Sequence, residues 1–173
     1  MFKDISKHEW RFLVIIWILT TVIVFLPTVI GYFTTPSDSE FLFRPVSGAD
    51  YMVYFSQIEQ AKKGIYFFKD FFTSEPQSVG VLNPFWSLVG IFARIFNLSS
   101  FVALHLASFL LIPVFLIAGY HLISFFFEDK TKRKVCFVLF IFASGVSFFR
   151  TVQAFSLNFL PNPPHHIASL ILL

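Results

Sequence analysis

Phe12-Leu13-Val14-Ile15-Ile16-Trp17-Ile18-Leu19-Thr20-Thr21-Val22-Ile23-Val24-Phe25-Leu26-Pro27-Thr28-Val29-Ile30-Gly31-Tyr32-Phe33 runs without a charged residue. At 1.5 Å per residue such a helix is long enough to cross the hydrocarbon of a bilayer. It has no short apolar core with a small-residue cleavage site behind it, so it reads as an uncleaved first span over residues 12–33 and not as a secretory signal. Lys3, Lys7 and Arg11 precede it and are expected on the cytoplasmic side. The rest of the chain shares its character. Of 173 residues, 56% are hydrophobic, only 13% are charged and 27 are phenylalanine, which sets the chain apart from ordinary soluble domains. The expected fold is all-α, a polytopic membrane protein in the plasma (inner) membrane with a cytoplasmic N-terminus.

Charge decides how the remaining spans run. The long uncharged stretch from Ile95 to Phe127 is followed by Lys130, Lys132, Arg133 and Lys134. Cytoplasmic loops collect such residues, so residues 99–127 are expected to cross inward and residues 134–154 to return. An apolar run from about residue 165 then begins a fourth span that stops short of the roughly 20 residues a crossing takes, as in the N-terminal part of a longer protein. The net charge of +3 is spent on orientation and gives no reason to expect nucleic acid. Cys136 is alone in an apolar run, which leaves neither an intrachain disulfide nor a cysteine metal site.

Between the first two spans lies a polar loop, residues 34–98, expected outside. Tyr51, Tyr54, Phe55 and Ile58 fall at helical spacing, with Gln57, Gln60 and Lys63 on the opposite face. A helix over about 50–63 follows, closed by Gly64. Ile65 to Phe72 is aromatic around Lys69 and Asp70, a composition suited to the water–lipid interface. Asn83-Pro84 starts a second helix, about 84–96, with asparagine as cap and proline in the first turn. Its face of Phe85, Leu88, Val89, Phe92 and Phe96 is expected to lie in the membrane plane, with Ser87, Gly90, Arg94 and Asn97 towards the other side.

The residues with chemistry to offer are few. Asp50 opens the first loop helix, where a carboxylate serves equally as a cap, since Ser47-x-x-Asp50 resembles a capping box, or as a base. Arg150 marks the outer end of the third span, where it either snorkels or holds a phosphate. His165 and His166 follow three prolines and either anchor the next helix or touch substrate. As a metal pair they are weak, because neighbours at i, i+1 diverge and no third ligand is in sight. His105 and His121 read as neutral, hydrogen-bonded residues near the ends of the second span.

This order of parts resembles the GT-C glycosyltransferases, which include the protein O-mannosyltransferases and the lipid A aminoarabinose transferases. The resemblance rests on the charged N-terminus, one span, the long loop with Asp50 before a Tyr-rich helix ending in Gly64, and Asn83-Pro84-Phe85-Trp86 opening a second juxtamembrane helix. It implies a GT-C-like helical bundle that transfers a sugar from a polyprenyl-phosphate-linked donor at the extracytoplasmic face, with membrane lipid as surroundings. Asp50 matches the family's acidic residue, the presumed base. The Arg-Tyr-Asp pattern frequent in the family is absent, since Gly48-Ala49 precede Asp50 and Arg44 lies further back. The substrate-binding candidates are Arg150, Glu75, Lys69, His165 and His166. The resemblance leaves a divalent metal open as a cofactor. A transporter or flippase is the competing class, although its midplane charges are missing from these spans, and a noncatalytic scaffold of polysaccharide assembly is a third.

The charge pattern makes a direct prediction. A cysteine introduced at position 132 should resist a membrane-impermeant maleimide added to intact cells, while one at position 74 should react; labelling at 132 from outside contradicts the topology.

Overall fold

In the computed structural model, residues 5–39, 41, 49–77 and 80–142 are described, and for Ala49 and Asp50 the backbone alone. They are mostly helical: α1 (Lys7–Thr34), α2 (Ala49–Lys62), α3 (Pro84–Ile95), α4 (Ser100–Phe126) and α5 (Lys130–Phe142). A two-stranded antiparallel hairpin, β1 (Phe67–Phe68) with β2 (Val81–Leu82), pairs Phe67 with Leu82 and Phe68 with Val81. The described chain is mostly helical, as expected, with this short hairpin as its sheet. α1 and α4 are each long and apolar enough to cross a membrane. Large apolar side chains stand exposed on both, with Val14, Ile15, Ile18, Leu19, Val22 and Ile30 open on α1 and Val102, Leu110, Val114 and Leu122 on α4. A helix inside a soluble core would bury such residues; lipid is the solvent that suits them exposed.

The chain divides into two units, residues up to Leu26 with those from Ser108 onward, and Pro27–Ala107. In the first unit the helices start earlier than the apolar pattern alone predicts. Ser6-Lys7-His8-Glu9 is a capping box: Glu9 Oε2 accepts from the Ser6 amide at 2.9 Å and from its hydroxyl at 2.6 Å. The helix therefore begins at Lys7, below the span expected at residue 12, and α5 begins at Lys130 ahead of the expected 134.

Glu9 does more than cap. It is fully buried, and its other oxygen, Oε1, accepts from Tyr120 Oη at 2.8 Å and from Arg133 Nη1 at 3.2 Å. Arg133 is also buried and spends its remaining donors on the α4–α5 turn, Nε to the Phe127 carbonyl at 2.7 Å and Nη2 to that of Glu128 at 3.2 Å. One cation of the basic cluster is thus an internal tie between α1, α4 and α5, where the sequence pattern reads it as facing water. Burying two charges costs several kcal/mol per ion, and only a full set of hydrogen bonds offsets it. Phe12, Tyr120 and Phe137 pack around the pair with ring centroids 5.2–6.3 Å apart. Leu13, Ile16, Ile112, Leu116 and Ile141 continue the core beyond them.

In the second unit α2 lies against α3 and the first turns of α4. Tyr51, Phe55, Ile58 and Ala61 are buried with Trp86, Val89, Ala93, Ala103 and Leu104. The Tyr54 and Trp86 rings stack at 4.9 Å and Phe55 meets Phe101 at 4.3 Å. Gly90 makes the close approach: a Cβ there would run into the Ala61 side chain and lie 2.9 Å from the Ile58 carbonyl oxygen. Of the apolar face expected on α3, Val89 departs from its assignment. Val89 turns inward with Ser87 and Gly90, whereas Leu88, Phe92, Ile95 and Phe96 stay exposed. Small residues face the neighbouring helix because backbones must come close there; bulky ones are left outside.

Helix ends in this unit obey local rules. Asn83 Oδ1 accepts from the Trp86 amide at 3.3 Å with Pro84 in the first turn. Gly64 takes φ +83° and Asn97 φ +50°. The amides of Ile65 and Leu98 reach back to the carbonyls of Gln60 and Ala93 at 2.9 and 2.8 Å, and both ends close as Schellman motifs.

Glu9→Ala would leave the Arg133 guanidinium buried without its carboxylate and is expected to cost about 3–5 kcal/mol; Tyr120→Phe, which removes one bond to a charged group, about 1.5–3 kcal/mol. Reversible unfolding in mixed micelles measures both. Wild-type stability in the Glu9→Ala variant would contradict the tie.

Candidate functional site

The chain after Gly64 has to leave a helix, turn back along it and enter β1. Two glutamines determine how it does so. Gln60 is buried in the last turn of α2, and its amide pairs with both backbone groups of Lys69: Nε2 donates to the Lys69 carbonyl and the Lys69 amide donates to Oε1, each at 2.9 Å. Gln77 does the same for the next residue, its Oε1 accepting from the Asp70 amide at 2.8 Å and its Nε2 donating to the Asp70 carbonyl at 2.6 Å. Each side-chain amide stands in for a strand neighbour, so the extended path of β1 continues two residues past its last ladder pair. Gly80 lets β2 close on β1, since a Cβ there would meet the Phe67 carbonyl oxygen at 2.5 Å.

The sequence reading placed Gln60 on an outward polar face, and that is corrected: it is an internal strut. The signal available in the sequence was its position between Ile58 and Ala61 on the buried stripe. Nothing in the sequence announces Gln77.

Beside this loop and α2 lies a cleft of about 240 Å³. Val53, Ser56 and Gln57 of α2 form one wall. Phe68 to Phe72, with Gln77 and Val81, form the other. The polar groups here are unevenly committed. Ser56 Oγ accepts from Gln60 Nε2 at 3.2 Å and keeps its own proton to give. Asp70 Oδ1 accepts from the Phe72 amide at 2.9 Å, which makes an Asx turn and leaves Oδ2 open. Lys69 has no ion-pair partner among the described residues, and Gln57 makes no hydrogen bond there through either end of its amide.

Of the residues singled out by sequence, Lys69 lies in this cleft. Asp50 occupies the first turn of α2, seven residues before Gln57 and three before Val53, on the helical row that forms the wall. Two turns of helix separate it from Gln57, about 10 Å along the axis. Glu75 is exposed on the neighbouring turn, its amide bonded to Thr73 Oγ1 at 3.2 Å, and is not part of the cleft wall. Arg150, His165 and His166 lie outside the described residues, as do the far part of the third span and the start of the fourth. Among the described residues no three His, Cys, Asp or Glu side chains gather as metal ligands. Ser56, Gln57, Asp70 and the Phe71 and Phe72 rings are site residues that the sequence reading did not select.

No family model, no curated protein and no solved structure matches the chain.

Gln60→Leu should free the Lys69 amide and carbonyl and leave two backbone groups without partners. Hydrogen exchange is expected to show the Lys69 amide losing protection while those of α3 keep theirs; unchanged protection at Lys69 would mean that the loop is shaped by other contacts.

Proposed function

We propose that the chain belongs to a polytopic membrane glycosyltransferase of GT-C type, which moves a sugar from a polyprenyl phosphate to an acceptor hydroxyl at the extracytoplasmic face. The observation that supports the reading is that α2, which carries Asp50 in its first turn, supplies Val53, Ser56 and Gln57 to the wall of a cleft that also holds polar groups, in the loop between two apolar helices. The exposed apolar residues on α1, α4 and the outer face of α3 support a membrane setting. A lipid-linked donor would hold its sugar at that boundary.

The reaction asks three things of a protein. A base takes the proton of the acceptor hydroxyl as its oxygen bonds to the anomeric carbon. The bond from that carbon to the phosphate oxygen breaks, and the electron pair leaves with the polyprenyl phosphate. A cation offsets the charge gathering on the phosphate. Asp50 is the base in this reading. Lys69 is the described cation of the cleft, and Arg150 remains the candidate for the phosphate itself.

Asp50 also stands where a carboxylate caps a helix, and the two roles separate by substitution. Asp50→Asn keeps an oxygen that caps but loses the basicity, so the full-length protein should fold normally and transfer radiolabelled sugar from a polyprenyl-phosphate donor about 10² times more slowly. Asp50→Ala should in addition lose about 1 kcal/mol of stability. Normal transfer by a well-folded Asn variant would remove the catalytic role.

A further inference from the structure

Which acceptor the cleft suits can be argued from how its hydrogen-bonding groups are spent. Both backbone groups of Lys69 are taken by Gln60, and both of Asp70 by Gln77. Successive residues of an extended chain point these groups to opposite sides, so both edges of the segment are closed. A peptide acceptor laid alongside as an added strand would find nothing to bond to. What remains open are side-chain groups of mixed kind: the Ser56 hydroxyl proton, the Lys69 ammonium and the Gln57 Nε2 as donors, and Asp70 Oδ2 as acceptor, while Gln57 Oε1 is buried.

Opposite charges at Lys69 and Asp70 leave the cleft near neutrality. Beside these groups lie the largely exposed rings of Phe71 and Phe72. A volume of about 240 Å³ is below the range of roughly 300–1,000 Å³ of drug-sized pockets, room for one ring and not for a lipid tail. A ligand that matches this set has several hydroxyls, each both donor and acceptor, an apolar C–H face to lie on an aromatic ring, and no charge.

We propose that the cleft between α2 and the Lys69–Phe72 segment is a subsite for a single neutral sugar ring, and that the acceptor is a saccharide end instead of a peptide side chain. Gln57 and Asp70 are its specificity-determining residues. The ring is held by hydroxyl contacts to Gln57, Asp70 and Ser56 and by its C–H face on Phe71 or Phe72. The acceptor identity rests on the transferase reading above; the sugar subsite does not.

Saturation-transfer NMR tests this on the full chain in a zwitterionic detergent that has no sugar headgroup. Methyl α-D-glucopyranoside and methyl α-D-mannopyranoside are the probes, with N-acetylserinamide as the peptide stand-in. At least one glycoside should be saturated and should not be displaced by the serine amide. Gln57→Leu removes a side chain that makes no protein hydrogen bond, and Asp70→Asn keeps the oxygen that caps Phe72, so both should fold; each is expected to weaken glycoside binding about tenfold. Absence of saturation for both glycosides, equal binding by both cleft variants, or displacement by the serine amide would overturn the proposal. Glycoside binding by a full-length protein that transfers no sugar from the polyprenyl-phosphate donor would keep the subsite and remove the transferase reading, whereas transfer that Asp50→Asn slows, without glycoside binding, would do the reverse.

Discussion

Polar groups shut away from water must be paired, and in a chain this apolar few partners are on hand. Both units show how the requirement is met. In the first, the Glu9 carboxylate takes bonds from Ser6, Tyr120 and Arg133, and Arg133 uses its other nitrogens on the carbonyls of Phe127 and Glu128. An unpaired carboxylate or guanidinium there would be untenable; the paired set fixes how α1, α4 and α5 meet. In the second, the amides of Gln60 and Gln77 pair the backbone of Lys69 and Asp70 where no strand is available to do so. The cleft lies beside α2 where those two residues are held, Lys69 by Gln60 of α2 and Asp70 by Gln77.

Packing supplies the other half of the second unit. Gly90 and Ala61 bring α2 and α3 into backbone-close contact, and the large side chains of α3 that do not fit between them face outward. One small residue therefore has two effects. It seats α2 firmly enough to serve as a wall for the cleft, and it leaves an apolar outer surface on α3 of the kind that amphipathic helices lay against a bilayer.

Some of this was legible in the chain. The two long apolar helices follow from composition, because a charge-free run of that length has few soluble uses. Gly64, Asn83-Pro84 and the Asn97 end are local signals that act through φ and capping, so they appear at their expected places. The failures share a cause. Gln60 reads as part of a polar face and Arg133 as one of a cytoplasmic basic cluster, and both are buried because a partner distant in sequence claims them. On α3 it is Val89 alone of the apolar face that turns inward, because it lies beside Gly90, where α2 packs closely. The hairpin escaped notice because two-residue strands have no period to detect. The cleft itself is made by contacts between α2 and residues at least nine further along, which no local pattern records.

The account turns on the claim that the α2 row running from Asp50 to Gln57 faces the sugar of a lipid-linked reaction. The most direct measurement is photocrosslinking in proteoliposomes, with a photoreactive residue at position 53, between the two, and a radiolabelled polyprenyl-phosphate sugar in the bilayer. A control at position 122, on the exposed surface of α4, reports contact with lipid alone. Light-dependent label at 53 that is competed by excess unlabelled donor, with label at 122 that is not, is the predicted result. Absence of label at 53, or label there that excess donor does not reduce, would contradict the account.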